Sequence, residues 1–150
     1  MKHWTFRSGA LAALSLAWTL LAAAQAVSAP PATQDGRYNL GLTRAEQTAF
    51  LAEMRVMLGS VQGVVQGIAE SDREAIERFA RISGNRMARA TPASIRAKLP
   101  PAFQELGAPT HLAFEELAVR AATDDMDQLA AHLGQTLRLC MACHEAFRVR

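Results

Sequence analysis

The sequence predicts an all-α protein built as an antiparallel four-helix bundle. Apolar residues recur at alternating spacings of three and four along four separate stretches, the period of a helix with one face buried. Most of these stretches open on a side chain that can cap a helix, and proline or glycine punctuates the gaps between them. The gaps are short between the first and second stretches and between the third and fourth, and long between the second and third. Short connections make antiparallel neighbours, and one long crossover completes a bundle.

The elements follow in order. Residues 1–26 carry Lys2, His3 and Arg7 ahead of an apolar run from Gly9 to Ala23, then Ala24-Gln25-Ala26, which fits the small-x-small cleavage rule. This segment is expected to be a cleaved signal peptide. Its apolar run approaches the ~20 residues that span a bilayer, but the small-residue exit and the Pro30-Pro31 break favour processing over an anchor. Residues 27–42 contain Pro, Gln, Asp and Gly and read as a flexible lead. The bundle is expected over 43–150.

Thr43-Arg44-Ala45-Glu46 is a capping box, after which Phe50, Met54, Met57, Val61, Val64 and Ile68 form the stripe of a long first helix, widened by Leu51, Leu58 and Val65. Gly59, Gly63 and Gly67 repeat every four residues, so that side can approach a flat ligand or another backbone closely. Ser71-Asp72-Arg73-Glu74 is a second capping box, opening a helix with Ile76, Phe79, Ala80, Ser83 and Met87 that should end near Ala90. A crossover from Pro92 to Pro109 contains a helical turn near Ser94–Lys98 and breaks at Pro100-Pro101 and Gly107-Ala108-Pro109. The third helix is expected from about Thr110 to Ala122, with Leu112, Phe114, Leu117, Ala118 and Ala121 apolar. Asp124 or Asp125 caps a fourth, on which Leu129, Leu133, Leu137, Cys140, His144 and Phe147 share a stripe.

Removal of the signal leaves roughly 120 residues, one small domain with one core. Lys2 and Arg7 leave with it, so the formal charge of +2 falls to about zero and nothing suggests nucleic acid as a partner. The cations that remain are almost all arginine. Arg78, Arg81, Arg86, Arg89, Arg96 and Lys98 run without an acid between Glu77 and Glu105, either a solvated helix face or a docking face for an acidic redox partner.

Chemistry concentrates in the fourth helix, where Cys140-Met141-Ala142-Cys143-His144 spells the C-x-x-C-H attachment signature of c-type haem. At about 100° per residue the two thiols and the imidazole fall within one ~100° arc, so all three can address one planar ligand. The thiols can add to the haem vinyl groups as permanent thioethers, and His144 can take one axial position on the iron. One covalently bound haem c is therefore expected on the last helix. A thioredoxin-type pair would need a preceding strand, and a zinc site would need a fourth ligand at sensible spacing. A structural disulfide leaves His144 unexplained. Covalent haem attachment takes place after export, so the motif and the amino-terminal segment agree on a periplasmic location.

With these residues in place the chain resembles the cytochrome c′ family, including its low-spin monohaem relatives: exported four-helix bundles with one haem on a C-x-x-C-H near the end of helix four. The resemblance implies that Cys140 and Cys143 are the thioether cysteines, His144 the proximal ligand, and Arg148 a basic residue beside the haem. It also implies a distal position on helix one, with Met54 the first choice for a sixth ligand and Met57 the second. Where family members carry an arginine four residues before the distal position, this chain has Phe50 or Glu53. His111, at the expected start of helix three, is an outside choice for a distal or haem-edge group. His132 lies about 18 Å up the same helix as His144 and cannot reach the far face. A homodimer through the first two helices is a further implication.

The expected function is one-electron transfer by a periplasmic monohaem c-type cytochrome, through a redox partner the sequence does not identify. The alternative is a five-coordinate haem protein that binds or sequesters diatomic gas (NO or CO), and a third reading is a haem-free interaction module. No nucleophile and base pair, Gly-rich phosphate loop or carboxylate pair on a common face argues for an enzyme. After processing no segment is long and apolar enough to span a membrane.

Overall fold

The computed structural model describes residues 35–150. The proposed signal segment, residues 1–26, lies outside them, as does the lead up to residue 34. Six helical segments and two very short strands are present among the described residues: β1 (Tyr38–Asn39), α1 (Arg44–Glu70), α2 (Arg73–Ile82), α3 (Asn85–Ala90), α4 (Ala93–Arg96), α5 (Pro101–Arg120), α6 (Met126–Ala146) and β2 (Phe147–Arg148). Four arms make the bundle: α1, α2 continued by α3, α5, and α6. Each packs on two neighbours, closing the ring α1, α2, α5, α6.

Local chemistry sets the helix ends. Thr43 and Glu46 form the predicted capping box of α1, the Thr43 N–H donating to Glu46 Oε2 at 2.8 Å. The expected second box is a different device. Ser71 ends α1 in the left-handed region at φ 56°, and Asp72 caps α2 by accepting from the Ala75 N–H at 2.9 Å. On α6 the cap is Asp125, paired reciprocally with Gln128.

Two expectations about the middle of the chain are corrected. The second helix breaks at Ser83-Gly84 instead of running to Ala90, because Glu115 of α5 occupies the space a side chain at Gly84 would fill and accepts from the Asn85 N–H at 3.1 Å. The third helix begins at Pro101 rather than Thr110 and runs straight through Gly107-Ala108-Pro109. Pro101 sits in the first turn, where its missing N–H costs nothing. Pro109 leaves the Glu105 carbonyl without its helical donor, but both residues are exposed and water can satisfy it.

Burial divides into two clusters. The larger joins Val64, Ile76, Phe114, Leu117, Leu129 and Leu133 at one end of the bundle, each fully buried side chain contributing about 1.5–3 kcal/mol. The smaller joins Leu40, Leu42, Phe50 and Ile95, with Met54, Leu99, Phe103, Phe147 and Val149 packed against it. Leu40 and Leu42 therefore contradict the flexible lead from about residue 38 onward. That segment is tied down by the parallel pairing of β1 with β2, Tyr38 opposite Phe147 and Asn39 opposite Arg148. Phe147 accordingly leaves the α6 stripe, since the helix ends at Ala146.

The glycine ridge of α1 is an internal contact. A side chain at Gly63 would collide with the Phe79 ring, and one at Gly67 would press on Ile76 and the Asp72 backbone, while Gly59 faces open space. The ridge thus lets α2 approach α1. Of the residues that widen the stripe, Leu58 and Val65 are exposed, as is Leu112 on α5.

Candidate functional site

Between the two clusters the bundle core gives way to a cleft of about 370 Å³ with largely apolar walls. From α1 come Phe50, Leu51, Glu53, Met54, Met57, Leu58 and Val61; from α5, Phe103, Gly107, Thr110, His111 and Phe114. The α6 wall supplies Leu137, Cys140, Cys143 and His144, and the two terminal segments supply Arg37, Leu40, Phe147, Arg148 and Val149. All seven residues singled out in the sequence, Met54, Met57, His111, Cys140, Cys143, His144 and Arg148, meet around this one space. Leu58 at 67% exposure and Leu137 at 37% mark where it opens to solvent.

The α6 wall is built by helical spacing: Cys140 and His144 are one turn apart and Cys143 lies between them on the same side. Both thiols are free and half-buried. Burial pushes the Cys140 thiol above its ordinary range and does the same to Cys143, to which the neighbouring Cys140 adds. Reactive redox thiols need the opposite environment, one that stabilises thiolate. Among the described residues no three His, Cys, Asp or Glu side chains converge as the ligand set of an ion, so the motif is not a preformed zinc cage. Met141, between the cysteines, points out to solvent.

The two other histidines in the bundle part company. His132 is buried away from the cleft, Nε2 at 2.9 Å from the Ala113 carbonyl and Nδ1 at 3.0 Å from an Arg120 guanidinium nitrogen. Those partners require the proton on Nε2 and occupy both nitrogens. His111 lines the cleft, with Nδ1 donating to the Ser83 carbonyl at 2.7 Å, which leaves the lone pair on Nε2. Beside it Glu53 is half-buried; burial raises its carboxyl above the ordinary range, against the opposing effects of His111 and the Thr91 hydroxyl.

Sequence reasoning missed Arg37, assigned to a loose lead. Its guanidinium holds Asp35 through Nε to Oδ1 at 2.9 Å and Nη2 to Oδ2 at 2.7 Å, and donates from Nη1 to the His144 carbonyl at 3.2 Å. The hydrogen bonds from the Arg37 guanidinium and backbone N–H hold the Asp35 carboxyl down at about 2. The apolar pair Leu40 and Leu42, two apart and just after β1, was the available sign of an extended segment with one buried side. Arg148 is on β2 rather than one turn beyond His144 on the helix.

The residues fit a haem. Apolar walls on several elements suit the faces of a macrocycle, and two free thiols stand on the wall that also carries the imidazole. Each thiol can add its S–H across a vinyl C=C bond, and the His144 imidazole can donate a lone pair to iron. Thioether sulfurs of Met54 and Met57 and the Nε2 of His111 are available on other walls.

Fold and site together define a haem-binding helical bundle. The chain belongs to the cytochrome c′ family: the model of that family, described as Cytochrome C', matches residues 44–148. No curated protein and no solved structure matches the chain. The matched span covers all four arms and ends on Arg148, while Arg37 and β1 lie ahead of it.

Proposed function

We propose that the protein is a periplasmic monohaem c-type cytochrome that carries single electrons. The observation that supports this most directly is the convergence of Cys140, Cys143 and His144 with Met54 and Met57 on one apolar cleft that opens at Leu58 and Leu137. In this reading Cys140 and Cys143 hold one haem c covalently, His144 is the proximal axial ligand, and Met54 is the distal ligand, with Met57 second. Arg148 sits beside the cofactor. The bound haem supplies the one-electron iron couple. The protein's own share is to exclude water with Phe50, Phe103 and Phe114, to fix the iron through His144, and to leave an edge within reach of a partner at the cleft opening.

Arg86, Arg89 and Arg96 make no ion pair among the described residues, whereas Arg81 is committed to Glu77 and Glu115, and Lys98 to Glu46. The unpaired arginines support docking of an acidic redox partner. Self-association through the first two helices would draw on the exposed Val56, Val65 and Ile82 rather than on the glycines already covered by α2. Export would rest on residues 1–26. Among the described residues no helix is long and apolar enough to cross a membrane.

One observation favours a second reading. Leu51 lines the same α1 wall as Met54, so an apolar residue can equally face the iron and leave a site for NO or CO. Expression with a working haem-attachment apparatus, followed by mass spectrometry and reduced spectra with and without carbon monoxide, tests both. Electron transfer expects a covalent haem adduct, a low-spin spectrum and no ready CO complex. A high-spin protein that takes CO at once overturns it in favour of the gas-binding reading, and a chain of unmodified mass overturns both.

A further inference from the structure

We infer that Arg37, from the segment ahead of the family-matched residues, is a carboxylate-binding residue of the haem site, acting with Arg148 on the propionates of the macrocycle. The inference rests on the haem reading above. A haem brings two carboxylates into a cleft whose walls are largely apolar, and among the described residues that line it Arg37 and Arg148 are the only arginines or lysines. On α1 the one charged lining residue is Glu53, an acid, which offers a carboxylate no cationic partner.

Arg37 is built for that role. Its backbone is fixed by the β1–β2 pairing, by the Leu40 N–H donating to the Arg148 carbonyl at 3.0 Å, and by Arg148 Nε donating to the Arg37 carbonyl at 3.3 Å. Buried Leu40 and Leu42 pin the segment from below. The side chain is 43% exposed and that of Arg148 29%, which puts both at the solvent rim of the cleft, where propionates keep part of their hydration. Asp35 and the His144 carbonyl occupy three of the five guanidinium N–H groups, leaving one on Nη1 and one on Nη2. Two N–H groups on one rigid fork are what a carboxylate accepts bidentately.

The test uses the matured protein, in which thioethers retain the haem whatever happens at Arg37. Reduction potential is followed across the acid-to-neutral range in wild type, Arg37→Gln, Arg37→Lys, Asp35→Asn and Arg148→Gln. The other titratable groups at the cleft are Glu53 on α1, His111 on α5 and His144 on α6; Glu53→Gln in each background removes the protein carboxyl from the profile. Loss of Arg37 should move the propionate-linked step to higher pH, by roughly three- to tenfold in acid dissociation constant for a partly exposed pair. Asp35→Asn frees the fork and should move the step the other way, and Arg37→Lys should fall between wild type and Arg37→Gln. A profile for Arg37→Gln that coincides with wild type while Arg148→Gln shifts overturns the inference and leaves the haem reading intact. So does Asp35→Asn moving the step in the same direction as Arg37→Gln, which would make Arg37 a structural pin. If Arg37→Gln fails to fold, Asp35→Asn decides alone. A matured chain without covalent haem overturns the reading on which all of this stands.

Discussion

The imidazole Nδ1 of His111 lies 2.7 Å from the carbonyl oxygen of Ser83, a bond that crosses from α5 to the broken end of α2. Ser83 is fully buried and its hydroxyl donates to Ser60 on α1 at 2.8 Å, so two short contacts through one residue tie three arms of the bundle together beside the cleft. His111→Ala strands the Ser83 carbonyl and should cost about 1–3 kcal/mol in chemical denaturation. His111→Gln, which retains a donor, should lose less. Neither should alter the spin state of the matured protein if His111 is a wall and not a ligand; a conversion to high spin would transfer the distal role to it.

Met54 and Met57 sit one turn apart on the cleft wall but pack against different clusters, Met54 with the Leu40 and Phe50 group and Met57 with the Val64 group. Met54→Ala should convert a low-spin spectrum to high-spin and admit carbon monoxide, while Met57→Ala leaves the spectrum unchanged. The reverse pattern would assign the ligand to Met57.

On α1 the glycines make opposite predictions. Gly63→Ala forces a methyl into the Phe79 ring and should destabilise by about 1–3 kcal/mol. Gly59→Ala meets nothing within 4 Å and should stabilise by about 0.5–1 kcal/mol through helix propensity. Thermal unfolding of the two variants side by side checks both signs.

Stability should fall in acid partly through Glu46. Hydrogen bonds from Lys98 and the Thr43 backbone lower its carboxyl from an ordinary value of 4.5 to about 2. A depressed carboxyl contributes stability that is present above its unfolded value and is lost as pH falls from there through about 2. Glu46→Gln should flatten that part of a stability-against-pH curve and leave the neutral limb lower than wild type. A curve for the variant parallel to wild type between these limits would remove Glu46 from the account.

What could be read in the chain follows from how local each signal is. The capping box at Thr43–Glu46 and the stripe from Phe50 to Ile68 are decided within a few residues, and α1 runs where they predict, while of the two caps expected for the fourth helix Asp125 is the one used. The same locality makes Cys140, Cys143 and His144 legible, because one helical turn places them together. Gly84 breaks a helix expected to run to Ala90 and Pro109 does not break one, for a common reason. Whether they end a helix depends on Glu115 across the bundle and on water at an exposed face, neither of which neighbours them in sequence. Arg37 was invisible for the same cause in stronger form, since its contact with His144 joins residues 107 positions apart.

The β1–β2 pairing also constrains the order of assembly. Its two partners are the first and last pieces of the described chain to be synthesised, with every helix between them. The clasp therefore closes only after the sulfurs and the imidazole have been made, and the part of the cleft wall supplied by Leu40 and Phe147 is complete only once both ends of the described chain exist.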